Sequence, residues 1–360
     1  MQPVRIALIG CGYIAQKHIR SLLEIREDAE LVALCDIDKH QLERFAEDVC
    51  KPHYPNLRLY SSLDDCLSSD DIDLIAITTS SHTHAALSIA ALQAGKHVLV
   101  EKPLALSIQD ARTAAAEAKQ RGLILAVSLQ TRYLSQMQAI KKAVDEGRFG
   151  RLINGVVSMR WNRNMDYYKA SPWRDSWVSG GGLFMNQCIH YIDLLQWLMG
   201  PVVSVYGEAD TFSQPLHVEN MGIAVLKFAN GATGFVEASS CVYPQSLLTS
   251  LSLFGEKGSV SLEGVRLNEL KHWIFEKEQM EDEDVLARTD EISHTPLYKD
   301  VIEAIRRGTS PLVSVETSLD SLEVILAIYK SIMEGVSVEL PLDHFDMRNM
   351  ALKSKGGESH

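Results

Sequence analysis

Apolar residues in the first third of the chain come in short unbroken runs, while farther on most of them alternate with polar ones. The runs "VRIALIG" (4–10), "AELVALCD" (29–36), "IDLIAITT" (72–79), "HVLVEKP" (97–103) and "LILAVSL" (123–129) read as strands buried on both faces. Between them, "YIAQKHIRSLLEI", "QLERFAED", "THAALSIAALQAG" and "SIQDARTAAAEAKQ" carry helical spacing, the last with Ser107 and Asp110 as a capping-box-like start. Strand and helix in alternation predict a parallel sheet with crossover helices, a Rossmann-type domain over 1–127.

After about residue 128 the grammar changes. Helices are expected near 137–146 and 184–198, followed by the strand-like runs "VVSVYGEADTF", "MGIAVLKFANGATGFVEAS" and "LTSLSLFGEKGSVSL". Asn230–Gly231 and the "EKG" of 256–258 are hairpin signals. Two late helices, "YKDVIEAIRRG" and "SLDSLEVILAIYKSIMEG", complete an α+β domain on a mostly antiparallel sheet, over 128–350. The tail 351–360 is expected to be disordered.

The first strand runs into Gly10-x-Gly12-x-x-Ala15 and then a helix. The first glycine makes the tight turn, the second admits a pyrophosphate close to the backbone, and the small third residue lets helix and strand pack. The helix N-terminus then faces the phosphates, with Tyr13 and Ile14 in the turn. The next strand ends in Asp36, the position of an acid that binds the adenosine ribose hydroxyls. Asp36 and Asp38 with no Arg nearby favour NAD over NADP, because a 2′-phosphate would meet two carboxylates. Thr79, Ser80, His82 and His84 fall at the carboxyl end of a further strand, where this architecture binds ligands; each His could touch the cofactor, cap the next helix or face solvent. Glu101, Lys102 and Pro103 end another strand. An ammonium there can hold an alcohol oxygen and stabilise developing negative charge.

In "GGGLFMNQCIHYIDLLQWLMG" (180–200), Asn186, His190 and Asp193 fall on one helical face just after the glycines. An amide, an imidazole and a carboxylate on one stripe of a mostly apolar helix mark it as a candidate site. Just upstream, Arg160, Arg163, Tyr167, Tyr168, Lys169 and Arg174 cluster with Trp161, Trp173 and Trp177. Guanidinium forks suit carboxylate and phosphate.

Composition changes little in this picture and excludes some alternatives. The chain has 360 residues, room for two cores, with 46% apolar and 23% charged residues. A net charge of −12 argues against nucleic-acid binding. No run is long enough to span a membrane, and the start does not read as a signal peptide. Six scattered cysteines without metal spacing read as reduced thiols of a cytoplasmic protein, and no metal site is expected.

Taken together, Gly-x-Gly-x-x-Ala, "EKP", and "GGG" followed by an N/D-x-x-x-H-x-x-D helix resemble the glucose–fructose oxidoreductase/inositol dehydrogenase (Gfo/Idh/MocA) family over nearly the whole chain. The resemblance implies that Lys102 and His190 flank the reacting alcohol, with His190 as acid or base, Asp193 holding its ring and tautomer, and the glycines letting the chain pass close to substrate or nicotinamide. Where many members carry Asp, this chain has Asn186; an amide cannot accept the proton, so Asn186 is expected to bind a sugar hydroxyl. The "YY…WR…W" element and "MNQ" are similar to the branch that oxidises UDP-2-acetamido-2-deoxy-glucuronate at carbon 3. That likeness implies NAD as oxidant and a role in diamino-sugar synthesis for surface polysaccharides, in some members with 2-oxoglutarate reoxidising bound NADH. Arg163, Tyr168, Asn186 and Gln187 are the expected substrate contacts, beside Lys102 and His190. Glu101, Gln130, Trp173 and Arg174 are expected at the cofactor. A homo-oligomer, dimer or tetramer, is expected by the same analogy. A polyol, inositol or free-sugar dehydrogenase is the rival reading within the family, and a non-catalytic nucleotide sensor the rival outside it.

Overall fold

A computed structural model describes residues 2–279, 282 and 291–356. They pack as two units. The first draws on the described residues of Met1–Ala105, Asp110–Gln130 and Ser293–Ser318; the second on those of Leu106–Gln109, Thr131–Ile292 and Leu319–His360.

The first unit is built on a six-stranded parallel sheet in the order β3-β2-β1-β4-β5-β6. Its strands are β1 (Val4–Ile9), β2 (Ala29–Cys35), β3 (Arg58–Tyr60), β4 (Leu74–Ile77), β5 (His97–Val100) and β6 (Leu125–Val127). Helix α1 (Ala15–Glu24) follows β1, α2 (Lys39–Phe45) follows β2, α3 (Leu63–Leu67) follows β3, α4 (His84–Gln93) follows β4 and α5 (Ile108–Arg121) follows β5. The order reverses between β1 and β4, the switch point at which such sheets bind ligands. β4 and β5 are buried at nearly every position, as their unbroken apolar runs require. β3 and α3 escape the apolar pattern because β3 is short and only half-buried.

A single cut near residue 127 does not describe this unit, because residues 293–318 return to it. The Val127 amide donates to the Val313 carbonyl, and Arg306 pairs with Asp28 at 2.6 Å. His294 and Tyr298, at the start of the Thr295–Arg307 helix, bond to side chains of the sheet and α1.

The second unit carries α6 (Ser135–Asp145), α7 (Met165–Lys169) and α8 (Ile189–Met199) with an eight-stranded sheet, β13-β12-β11-β7-β10-β9-β8-β14. Its strands are β7 (Leu152–Arg160), β8 (Val202–Asp210), β9 (Met221–Phe228), β10 (Thr233–Ser239), β11 (Leu248–Gly255), β12 (Gly258–Glu263), β13 (Glu269–Phe275) and β14 (Val338–Glu339). Only β7 and β10 run parallel; all other pairs are antiparallel. Burial alternates along β9 and β11, so one face is core and the other is open. α8 lies on the core face so closely that a Cβ at Gly155 of β7 would meet the Met199 sulfur at 2.2 Å.

One expectation about the tail is corrected. A helix covers Arg348–Gly356, so 351–356 are helical, and 357–360 lie outside the described residues.

Candidate active site

In the first unit the glycine turn is built as its sequence requires. Gly10 has φ +95, and a Cβ there would meet Thr79 Cγ2 at 2.7 Å, so only glycine fits. A Cβ on Gly12 meets nothing within 4 Å; open space lies over the turn, as a pyrophosphate needs. Thr78 Oγ1 donates to the Gly10 carbonyl at 2.6 Å and ties the turn to β4. Asp36 leaves β2 half-buried, with Oδ2 accepting from the Cys11 amide at 2.7 Å and Oδ1 from the Asp38 amide at 3.0 Å. Those bonds fix the carboxylate beside the turn while its remaining lone pairs face outward. Tyr13 is exposed next to Gly12. These residues fit a dinucleotide.

The strand-end histidines separate. His82 is exposed. His84 is buried, with Nδ1 2.7 Å from the Pro103 carbonyl and Nε2 3.1 Å from the Thr79 carbonyl. Both nitrogens are turned to carbonyls inside the unit; a neutral ring donates to one of them, and the shorter span gives that bond to Pro103. Thr79 is half-buried, its hydroxyl 2.7 Å from that of Thr83. Gln130 is half-buried, and its Oε1 is a buried acceptor without a partner among the described residues. Ser80 and Lys102 are half-buried, and the Lys102–Pro103 peptide is cis.

Glu101 also departs from expectation. Its Oε1 accepts from His18 Nε2 at 3.0 Å and from His294 Nε2 at 3.1 Å, and its Oε2 from the Lys102 amide at 3.3 Å. Its carboxylate is spent inside the unit and leaves the cofactor to its neighbours. Burial alone would raise this carboxyl, but the hydrogen bonds from His18 and His294 outweigh it and hold Glu101 well below the usual range. Burial pushes His18 down to about 4, so the ring is neutral at pH 7.

In the second unit the helix with His190 starts irregularly. A π-helical turn spans Phe184–Cys188 before α8, a distortion frequent at functional sites. The Phe184 amide donates to Glu219 Oε1 at 3.1 Å and the Met185 amide to the Tyr329 hydroxyl at 3.2 Å. Two distant side chains thus bond the amides that open the helix, as backbone carbonyls do farther along it. Gly181 and Gly182 have φ of +80 and +87, and a Cβ on Gly182 would lie 2.2 Å from Glu219 Oε2. The glycines make room for Trp173, Met185, Glu219 and Tyr329 of the protein itself.

Asn186 and Gln187 are buried, and His190 is half-buried one turn on. Asp193 does not hold His190. It is fully buried, its Oδ2 accepts from Arg132 Nε at 2.8 Å, and its Oδ1 accepts from Arg132 Nη2 at 2.5 Å and from Ser321 Oγ at 2.6 Å. Asn186 falls in the π-helical turn and His190 and Asp193 in α8, where Asp193 turns to Arg132 and Ser321 in the core.

The arginine cluster is sorted by its partners. Arg160 on β7 forms a fork with Glu237 of β10 at 2.9 and 2.7 Å and is a sheet ion pair. Arg163 and Arg174 converge on one ring: their guanidinium carbons lie 5.1 and 4.3 Å from the Tyr167 centroid. Arg163 also lies 4.5 Å over Trp161, and Arg174 5.4 Å over Trp173. Their hydrogen bonds go to carbonyls, those of Asn162 and Tyr167, and neither has a carboxylate contact among the described residues. Gln187 Nε2 donates to the Tyr167 hydroxyl at 3.2 Å and joins α7 to the helix that carries His190. Tyr168 is buried, its hydroxyl 3.3 Å from Ser240 Oγ, and packs in the core rather than toward a substrate. Glu219, Tyr329, Arg132, His18 and His294 carry no local sequence signal for these roles.

The comparisons with known proteins decide the family. Residues 4–129 match the profile of the oxidoreductase family with NAD-binding Rossmann fold, and residues 137–261 match the GFO/IDH/MocA C-terminal domain. The chain belongs to the Gfo/Idh/MocA oxidoreductase family. It is similar to the WlbA dehydrogenase of Bordetella pertussis, solved with NADH and UDP-GlcNAcA: TM-score 0.89, 35% identity, 95% of this chain and 99% of that one. The WlbA dehydrogenase of Chromobacterium violaceum, solved with the same two ligands, gives TM-score 0.89 and 37% identity over 95% and 97% of the two chains. Among curated proteins, the scyllo-inositol 2-dehydrogenase (NAD(+)) of Bacillus subtilis is 25% identical over 94% of this chain and 96% of its own. The family member described here is an NAD-dependent oxidoreductase. Among the described residues, no helix is long and apolar enough to cross a membrane.

Proposed function

We propose that the protein oxidises the 3-hydroxyl of a UDP-linked 2-acetamido-2-deoxy-glucuronic acid to the 3-keto sugar, with NAD as oxidant. The observation that carries this reading is the pair of guanidinium groups over Tyr167, beside the helix of His190 and without a carboxylate contact among the described residues. A uronate and a diphosphate need such cations to offset desolvation. The two WlbA structures, solved with a sugar of that kind, support it.

When bound, the nicotinamide supplies a hydride acceptor. Gly10, Gly12 and Asp36 hold the dinucleotide, Gln130 offers it an acceptor, and Thr79, Ser80, Tyr13 and Ile14 line its turn and strand end. Lys102 holds the reacting oxygen, and His190 or Lys102 receives the hydroxyl proton as the hydride leaves the carbon. Asn186 and Gln187 bind sugar hydroxyls, and Arg163 binds the uronate. Arg174 and Trp173 reach either the cofactor or the diphosphate. The reading includes a cytoplasmic homo-oligomer, supported by the exposed Ile153, Tyr206, Ile223, Phe235 and Phe254 on the open face of the large sheet. It also includes 2-oxoglutarate as a hydride acceptor for bound NADH, and a place in diamino-sugar synthesis.

The test is initial-rate NADH formation with UDP-2-acetamido-2-deoxy-glucuronate, UDP-N-acetylglucosamine and inositol. Activity on the uronate is expected. Removing one partner of a buried charged hydrogen bond costs ~2–5 kcal/mol, so Arg163→Ala should raise KM for the uronate at least tenfold and leave the uncharged UDP-sugar nearly unaffected. Activity confined to inositol would move the protein to the polyol-dehydrogenase reading, which the inositol dehydrogenase relative keeps open. Cofactor binding with no turnover of any of the three would make it a sensor.

A further inference from the structure

Lys102 lies between two residues whose polar groups are both held by buried imidazoles. Before it, Glu101 Oε1 accepts from His18 Nε2 and His294 Nε2, and the two rings lie tilted by 37° with centroids 4.4 Å apart. After it, the Pro103 carbonyl lies 2.7 Å from His84 Nδ1. The three imidazoles come from separate places: His18 from α1, His84 from α4 and His294 from the returning segment that leads into the Thr295–Arg307 helix. All three are at most 3% exposed.

Tyr298 fixes the protons of this cluster. Its hydroxyl lies 2.8 Å from His18 Nδ1. A carboxylate accepts only, so His18 must carry its proton on Nε2 to bond Glu101, and a neutral ring then accepts from Tyr298 on Nδ1. His294 likewise donates from Nε2 to the same oxygen. Both N–O spans are those of N–H···O hydrogen bonds. The remaining Glu101 oxygen accepts the Lys102 amide at 3.3 Å. Lys17, on the far side of His18, adds a further positive charge that disfavours a charged ring.

We propose that His18, His294 and Tyr298 are positioning residues for Lys102, acting through an ionised Glu101, and that His84 braces the same strand end from its other side. The inference rests on the reading that Lys102 acts on the reacting alcohol. A lysine side chain is long and flexible, and its backbone must be fixed if its ammonium is to be placed to a few tenths of an ångström. A carboxylate with two imidazole donors cannot rotate without stranding both of them in the core. The cluster converts the packing of α1 and the 293–318 segment into the placement of one side chain.

The experiment uses the full chain with NAD and UDP-2-acetamido-2-deoxy-glucuronate, in single turnover. His294→Leu removes one donor to Glu101, and His294→Gln restores an amide donor at nearly the same place. His294→Leu is expected to slow hydride transfer at least tenfold at saturating ligands, with the NAD dissociation constant changed less than threefold. His294→Gln is expected to recover the rate to within threefold. Should His294→Leu fail to fold, Tyr298→Phe serves, since it deletes one hydroxyl and is expected to slow transfer several-fold. A wild-type rate in the variant that folds overturns the proposal while Lys102→Met remains inactive; full activity in Lys102→Met overturns the catalytic reading and the proposal with it. Nitrogen-15 spectra of histidine-labelled protein without cofactor give an independent readout, with His18→Gln to assign the signals. His18 is expected to be neutral and Nε2-protonated at pH 6. A charged ring, the opposite tautomer, or a stoichiometric zinc ion bound by the cluster would each overturn the hydrogen-bonded arrangement.

Discussion

The strand end that carries Lys102 is tied down by imidazoles, whereas the helix that carries His190 is tied down by carboxylates. In the first unit, imidazole rings from three elements bond Glu101 and the Pro103 carbonyl. In the second, Glu219 bonds the amide that opens the helix, and Asp193 of α8 forms a buried ion pair with Arg132. Neighbours in the chain transmit the first support to Lys102. The second is long-range: Glu219, Arg132, Ser321 and Tyr329 all lie far from His190 in sequence. The first should fail locally when disturbed and cost rate, and the second should fail cooperatively and cost stability.

The comparison is broken most severely by deleting the two supported side chains. His190→Asn and Lys102→Met should each slow hydride transfer by about 10²-fold or more, the usual worth of a general acid or base. Melting temperature and NAD affinity should stay close to wild type in both, as calorimetry and titration would show. A large loss of stability in either would mean that the side chain itself is part of its scaffold.

Asp193→Ala reverses that pattern. It leaves Arg132 charged in a site with no solvent exposure, and breaking a buried pair costs ~3–5 kcal/mol. Urea unfolding should show that loss; an unchanged midpoint would remove the ion pair from the account. Gly182→Ala is expected to cost ~1–3 kcal/mol, because the left-handed backbone is strained for alanine and its Cβ would press on Glu219.

The pH dependence of stability sharpens the contrast further. Burial pushes Glu219 up to about 7 from its ordinary 4.5, against hydrogen bonds from Tyr329 and the Phe184 amide that lower it. A group whose folded value is raised contributes stability that is complete below about 4.5 and is lost as pH rises through about 7. His18 has the opposite sign: its folded value is depressed from 6.5 to about 4, so its contribution is present above 6.5 and lost as pH falls through about 4. Unfolding free energies of wild type and Glu219→Gln across pH 4–8 separate the two. The variant should lose the decline between about 4.5 and 7 and keep the acid-side loss. Identical curves would mean that Glu219 titrates alike in the folded and unfolded states.

The first unit was the more legible in sequence for a physical reason. A parallel sheet buries both faces, so its strands are unbroken apolar runs, and the glycine turn with Asp36 is a local motif whose geometry follows from a few adjacent residues. What escaped there was non-local: His84 as a brace, and Glu101 turned inward by histidines remote in sequence. In the second unit, alternation revealed β8 to β12, but not β7 at the sheet centre, whose inner face packs on α8 through Gly155. The Asn186–His190–Asp193 stripe was legible as a helix face. That Asp193 turns to Arg132 was not, since helical spacing assigns a face and cannot name the partner beyond it.

The chain's central assignment is the transfer of hydride from carbon 3 of a UDP-linked uronic acid to NAD. Its most direct test is a single turnover of the purified protein with NAD and UDP-2-acetamido-2-deoxy-glucuronate deuterated at carbon 3, with the reduced cofactor read by mass spectrometry. The account predicts one deuterium on the nicotinamide ring and a 3-keto sugar in equal amount. Unlabelled NADH, or no reduction with this sugar while inositol reduces NAD readily, would contradict it.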